Sequence, residues 1–235
     1  MPELPEVETV RRGLEKQTLG WPIGHVEVLR SRAIAYPAAP EIFSWALQGS
    51  QLAGWSRRGK YLLGALTGRD GTPAGQLGVH LRMTGQFLWL NAATPICRHT
   101  RVRFHREGGG ELRFVDVRSF GQMWWVPPDT EAAEVITGLQ RLGPEPFCPS
   151  FTAAYLQSRL AGSQRPIKNA LLDQALVAGV GNIYADEALF LAGIHPQIPS
   201  AELPPPKLKE LRRALLSVLE AVSYTHLTLP TNREV

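Results

Sequence analysis

The sequence predicts an α+β fold in two parts: an N-terminal helix with an antiparallel β-sandwich domain, then a helical domain. Three observations carry this. Residues 23–126 break into short apolar runs separated by glycine and proline. Beyond residue 150, apolar side chains recur three and four apart, the spacing of a helix face. A proline-bracketed stretch between them marks the change of texture. With 44% apolar residues in a chain of 235, there is enough material for a buried core.

The elements follow in order. After Pro5, the apolar residues Val7, Val10 and Leu14 recur at helical spacing with charged residues between them, and Leu19-Gly20 follows; prolines are tolerated in a first turn. Strands are expected at 26–29, 61–66, 77–81, 86–90, 101–105, 111–115 and 122–126. The run Arg101-Val102-Arg103-Phe104-His105 alternates strictly, and Gly108-Gly109-Gly110 reads as a hairpin turn before the next strand. Pro127-Pro128 and Gly143-Pro144-Glu145-Pro146 bracket a linking segment. Helices are expected at 151–160, 168–176, 183–192 and 208–222, with a tight double-glycine connection, Gly179-Val180-Gly181, before the third. The boundaries are thus 1–127, 128–149, 150–222 and a tail at 223–235 in which the helical pattern is lost.

Net charge is only +4, but its distribution is uneven. Residues 51–120 hold 11 basic and 4 acidic side chains, against 14 basic and 17 acidic in the remainder. A local basic field suits a polyanion-binding face, or equally a solvated sheet face. Cys97 and Cys148 are the only cysteines and no CxxC spacing occurs, which excludes a disulfide framework and a cysteine-based zinc site in this sequence. The acidic, proline-punctuated start is not a secretory signal. The most apolar stretch, 170–194, is interrupted by Asp173, Gln174, Asn182, Asp186 and Glu187, too polar for a membrane span. A cytoplasmic protein with reduced thiols is expected.

The N-terminus is chemically distinctive. Proline after the initiator methionine permits removal of that methionine, leaving Pro2 with a free secondary amine. An α-amine titrates at about 7.7–8.0, so part of it is neutral and nucleophilic near neutral pH. Such amines form Schiff bases with aldehydic carbons. Glu3 beside it can pass protons, and Glu6 lies one turn on. Met-Pro-Glu is equally an ordinary way to begin a helix.

The longer string weighs against the ordinary reading. Residues 2–14, Pro-Glu-Leu-Pro-Glu-Val-Glu-Thr-Val-Arg-Arg-Gly-Leu, closely resemble the N-terminus of the formamidopyrimidine-DNA glycosylases. Arg57-Arg58-Gly59-Lys60-Tyr61-Leu62-Leu63 is similar to the family's catalytic-lysine strand. His80-Leu81-Arg82-Met83-Thr84-Gly85 resembles its first intercalation loop and Val115-Asp116-Val117-Arg118-Ser119-Phe120-Gly121 the second. Leu142-Gly143-Pro144-Glu145-Pro146 matches the interdomain segment. Pro166-Ile167-Lys168 with Gly179-Val180-Gly181-Asn182-Ile183-Tyr184-Ala185 matches the helix-two-turns-helix motif. The matches run in family order to about residue 222. Leu4 and Val7 favour this family over the related endonuclease VIII.

The resemblance implies base excision repair: removal of 8-oxoguanine and formamidopyrimidines from damaged double-stranded DNA, then abasic-site lyase cleavage. Pro2 becomes the Schiff-base nucleophile, Glu3 the general acid, Lys60 a phosphate contact that shares in elimination, and Glu6 a supporting residue. Met83, Arg118 and Phe120 become the set that fills the gap left by the flipped nucleotide. Lys168, Asn182, His99, Arg165 and Tyr184 become DNA contacts, Asn182 also serving as the cap of a helix whose free N–H groups would meet phosphate. On the residues alone, Lys60 is one more basic-face residue, Met83 and Phe120 core residues, His99 a loop histidine and Tyr184 a packing residue. A monomer acting at the bacterial nucleoid is expected.

The sequence departs from the family after residue 222. No glycine-rich base-covering loop and no four-cysteine zinc finger follows, so no cofactor and no metal ligand, His226 included, is expected here, although zinc is implied for full-length members. The tail reads as a truncated or out-of-frame end. On that reading the groups for lyase chemistry remain while duplex binding and purine release are weakened. An endonuclease VIII-like pyrimidine glycosylase and a catalytically impaired DNA-binding fragment are the alternatives.

Overall fold

The computed structural model describes residues 1–225; His226 and the rest of the tail lie outside them. The chain divides into two units. One comprises Met1–Pro2 with Val10–Gln140, the other Glu3–Thr9 with Arg141 and the residues that follow it.

Helix α1 (Leu4–Thr18) is therefore shared by chain segment, its first residues grouping with the helical unit. Its start is a capping arrangement: the Glu6 carboxylate accepts the backbone N–H of Glu3 at 2.9 Å.

The first unit holds two sheets. Strands β1 (Ile23–Val28), β7 (Thr100–Arg106), β8 (Glu111–Asp116) and β6 (Gly85–Leu90) form one, in that order. The other is ordered β2 (Ile34–Tyr36), β9 (Gln122–Val126), β5 (Pro73–His80), β4 (Tyr61–Thr67) and β3 (Gln51–Arg58). Helix α2 (Pro40–Leu47) follows β2. All pairs are antiparallel except β2 with β9, which are parallel. These two lie far apart in sequence, so no tight hairpin constrains their direction. Val102 and Phe104 of the alternating strand are buried as the pattern predicts, as are Leu62, Leu77 and Phe114. Each such side chain contributes roughly 1.5–3 kcal/mol. Beyond the sheets, α3 (Ala132–Val135) leads to Ile136, which is buried with Trp124 and Val126.

The second unit contains α4 (Ala153–Leu160), α5 (Ile167–Leu172), α6 (Asn182–Leu191) and α7 (Pro205–Thr225). Thr152 caps α4 by accepting the Tyr155 N–H at 3.0 Å. Helix α5 ends four residues before the expected position, because the Asp173 side chain accepts the Ala175 N–H at 2.9 Å and turns the chain. Leu4, Phe151, Leu171, Val180, Leu189 and Leu215 belong to one apolar cluster, so the first helical turn of the chain is part of this unit's core. The α7 helix runs to Thr225, past the point at 222 where its sequence pattern fades. No helix among the described residues is long and apolar enough to cross a membrane.

Candidate active site

In the helical unit, Glu3 is only 2% exposed. Its carboxylate accepts the backbone N–H of Ile183 at 3.0 Å and of Tyr184 at 3.4 Å, two first-turn donors of α6. A helix N-terminus favours an anion there through both the donors and the dipole. Gly181 permits the approach, since a Cβ at that position would lie 2.3 Å from the Glu3 carboxyl carbon. Gly179 does the same for Leu4 and has φ +90°, where other residues are strained. The spacing of the two glycines thus reflects the two side chains they receive. Glu6 faces the same helix, accepting the Tyr184 hydroxyl while it caps α1. Burial, then the hydrogen bond to the Glu6 carboxylate, hold the Tyr184 hydroxyl far above its ordinary pKa.

These contacts correct two expectations. Gly181, not Asn182, is the N-cap of α6, and since a glycine has no side chain to cap with, the Glu3 carboxylate takes that part. The α6 donors of Ile183 and Tyr184 are already taken by Glu3, so they do not await a phosphate; Asn182 itself is exposed at the first helical position. Tyr184 is buried and bonded to Glu6, which makes it a packing residue. The two expected cations of this unit both face carboxylates. Lys168 meets Asp186 at 2.8 Å, and both terminal nitrogens of Arg165 meet Asp173 at 2.9 Å.

In the β unit, Lys60 sits in the turn between β3 and β4, not within a strand, and is 5% exposed. A buried lysine is not a member of a solvated basic face. His80, at the end of β5, packs edge-on against Tyr61 with ring centroids 4.6 Å apart. Burial, reinforced by the charges of Arg82 and Lys60, lowers the His80 pKa to about 3, so the imidazole is neutral. Its Nδ1 accepts the Arg82 N–H at 3.0 Å.

That bond begins the first intercalation-like loop. Arg82 has φ +53°, and Met83 after it is 42% exposed. The second loop repeats the pattern: Ser119 has φ +54°, and Phe120 after it is 46% exposed. Non-glycine residues in this region cost of order 1–3 kcal/mol each and persist only where the surroundings hold them. The Arg118 guanidinium reaches the Met83 sulfur at 3.1 Å. Met83, Ser119 and Phe120 line a cavity of 410 Å³ together with Met1, Arg32, Arg82 and Gln122. Sequence reasoning missed Arg32, which lies in a one-turn helix with no motif around it.

The third loop carries His99, whose ring lies between the side chains of Arg98 at 2.9 Å and Arg101 at 3.4 Å. The loop is tethered from below. Arg113, fully buried, donates to the carbonyls of Thr94 and Pro95, the latter at 2.7 Å, while pairing with buried Glu111. Burial alone would raise the Glu111 pKa, but hydrogen bonds from Arg103 and Arg113 outweigh it and hold the carboxyl below its usual range.

Residues 1–123 match the family description "Formamidopyrimidine-DNA glycosylase N-terminal domain", and residues 142–230 match "Formamidopyrimidine-DNA glycosylase H2TH domain". A formamidopyrimidine-DNA glycosylase of Synechococcus sp. is 63% identical over 221 residues, covering 94% of this chain and 78% of the relative. The chain belongs to the formamidopyrimidine-DNA glycosylase family. It is a DNA glycosylase of base excision repair. Another formamidopyrimidine-DNA glycosylase, from Parasynechococcus marenigrum, is 58% identical over 93% of this chain and 77% of its own length. Among solved structures, the Lactococcus lactis formamidopyrimidine-DNA glycosylase bound to abasic-site DNA has a TM-score of 0.85 and 34% identity, covering 94% of this chain and 82% of that one. The same enzyme bound to DNA containing N7-benzyl-Fapy-dG matches with a TM-score of 0.85 and 35% identity, covering 95% and 79%.

The four-cysteine zinc site implied for full-length glycosylases of this family does not fit the residues present. The sequence has two cysteines, in different units, and no group of His, Cys, Asp and Glu among the described residues could hold a metal ion.

Proposed function

We infer that this glycosylase excises oxidised purines, 8-oxoguanine and formamidopyrimidines, from double-stranded DNA and then cleaves the abasic strand through a Schiff base on Pro2. It acts as a monomer at the nucleoid, in the bacterial cytoplasm. The observation that carries the reading is that Met1 lines the same cavity as Met83 and Phe120. Once Met1 is removed, the Pro2 amine is left beside the two side chains suited to hold the gap of a flipped nucleotide.

The amine attacks C1′ of the sugar, the N–C1′ bond forms and the glycosidic bond breaks. The C1′–O4′ bond then opens, O4′ taking up a proton, and because the amine is secondary the resulting C1′=N iminium is necessarily cationic. It acidifies C2′, whose proton leaves as the 3′ C–O bond breaks and phosphate departs. Glu3 moves protons between the sugar oxygen and the leaving base, and Glu6 holds the start of α1 and so the placement of Glu3. Lys60 is assigned to phosphate and to the elimination step. His99 and Arg118, with Lys168, Arg165 and Asn182, are assigned to DNA contacts, the two cations exchanging a carboxylate for a phosphate. Tyr184 is left out, being buried.

Relatives support DNA as the substrate: the Lactococcus lactis enzyme is solved with Fapy-dG DNA and also with DNA containing an oxidised pyrimidine. The test is therefore an excision panel on duplexes carrying 8-oxoguanine, formamidopyrimidine or an oxidised pyrimidine, at one stated salt concentration. Preferential release of the purine lesions is expected. Preferential release of the pyrimidine lesion would overturn the purine assignment, and no release from any duplex would overturn the glycosylase reading for this chain.

A further inference from the structure

Asp116, the last residue of β8, is 1% exposed, yet its carboxylate is fully occupied by neighbours that belong to other loops. Oδ1 accepts the Thr84 hydroxyl from the first intercalation-like loop and the Arg118 N–H, at 3.2 Å, from the second. Oδ2 accepts the Gly121 N–H at 2.7 Å. The triangle is closed, because the Arg118 N–H also reaches the Thr84 oxygen at 3.1 Å. The backbone of Asp116 adds the third loop: its N–H donates to the His99 carbonyl at 2.9 Å, and its carbonyl accepts from Arg101 at 2.8 Å.

We propose that Asp116 is a positioning residue that clamps the loops bearing Met83, Phe120 and His99 into one unit, so that the gap-filling side chains enter DNA together. The proposal rests on the gap-filling reading given above. Physically, the clamp answers two needs. Each wedge loop contains a non-glycine residue at positive φ directly before its wedge, a conformation that relaxes unless the surroundings hold it. And a buried carboxyl group accepting hydrogen bonds from two loops makes movement of either one costly for both. Asp116 and Thr84 act through Met83, Arg118 and Phe120, whose loops they hold.

Two measurements on the full chain test this with Asp116→Asn, Thr84→Val and Thr84→Ser. The first is hydrogen–deuterium exchange on the DNA-free protein, which needs no activity. Thr84→Val, a change in the first loop, is expected to speed exchange at least tenfold in peptides of the second loop, at Arg118 and Gly121, as Asp116→Asn does, with Thr84→Ser near wild type. Acceleration in the first loop alone, or equal acceleration in Thr84→Ser, overturns the clamp. The second compares single-turnover excision from duplex DNA with borohydride trapping on a preformed abasic site in single-stranded DNA, where no gap needs filling. Asp116→Asn and Thr84→Val are expected to lose about tenfold in the first and less than twofold in the second, the double variant being no worse than either alone. Equal losses in both assays, or additive losses, count against the proposal. Met83→Ala and Phe120→Ala separate its failure from that of the underlying reading: wild-type duplex excision in both variants removes the gap-filling role, whatever the exchange data show about the clamp.

Discussion

Glu3 and Asp116 are both carboxylates buried to within a few per cent, and both are held by backbone N–H donors, but the donors differ in kind. Those of Glu3 belong to one rigid element, the N-terminus of α6, about 180 residues along the chain. Asp116 instead takes the N–H groups of Arg118 and Gly121, in one loop a few residues on, together with the hydroxyl of a threonine 32 residues away. The first arrangement fixes a single carboxylate relative to a helix; the second fixes loops relative to each other. In the proposed mechanism the difference separates a group that moves protons from a group that only sets where other side chains stand.

The strongest way to break this comparison is Glu3→Gln. Gln keeps an oxygen for the α6 donors and loses the proton-transfer function, so single-turnover base excision should fall about 10²- to 10⁴-fold, the usual range for general acid–base groups. Circular dichroism should show the helical unit intact. A loss of only about tenfold, equal to that expected for Asp116→Asn, would reduce Glu3 to a positioning residue as well.

Gly181→Ala sharpens the comparison from the other side. The added Cβ would stand 2.3 Å from the Glu3 carboxyl carbon, so the carboxylate must shift. Overpacking of this kind costs roughly 1–3 kcal/mol of stability, and a displacement near 1 Å costs about 10²-fold in rate. Denaturant titration and single-turnover excision measure the two together. Gly13→Ala in α1 is the control: nothing lies within 4 Å of its Cβ, and a gain of about 0.5–1 kcal/mol is expected.

A smaller effect concerns the base of the first wedge loop. His80 is neutral in the folded protein with its pKa lowered to about 3, whereas in the unfolded chain it protonates below about 6.5. Between these values the unfolded state binds more protons, so stability falls as pH falls, by up to about 1.4 kcal/mol per pH unit from this group. Urea titrations at pH 7, 6 and 5 should show that slope, and His80→Asn should flatten it while keeping an acceptor for the Arg82 N–H. An unchanged slope in His80→Asn would remove His80 from the acid limb.

Much of the fold was legible because the expected strands are short apolar runs set apart by glycine and proline, with strict alternation at 101–105, and because helical spacing survives in the helices. Strand β3 was not, because a bulge between Leu52 and Gly54 breaks the period of two. Helix α2 carried a readable signal, a proline at its first position with Phe43 and Leu47 four apart, both buried. At the site, the residue strings single out Pro2, Lys60 and the wedge residues because motif chemistry is local, and the fold leaves Met83 and Phe120 exposed while it buries Lys60. The α6 N-terminus misled, because sequence shows free donors and cannot show that Glu3 occupies them. Asp116 lies within the second loop motif, but its role depends on partners in other loops that only the folded sheet assembles.

The most direct measurement of the central claim is borohydride trapping on DNA containing an abasic site, followed by peptide mapping of the adduct. A covalent adduct is expected on the N-terminal peptide, at the Pro2 nitrogen of chains that have lost Met1, and none on chains that retain it. An adduct mapped to Lys60, or no adduct from methionine-free protein, would contradict it.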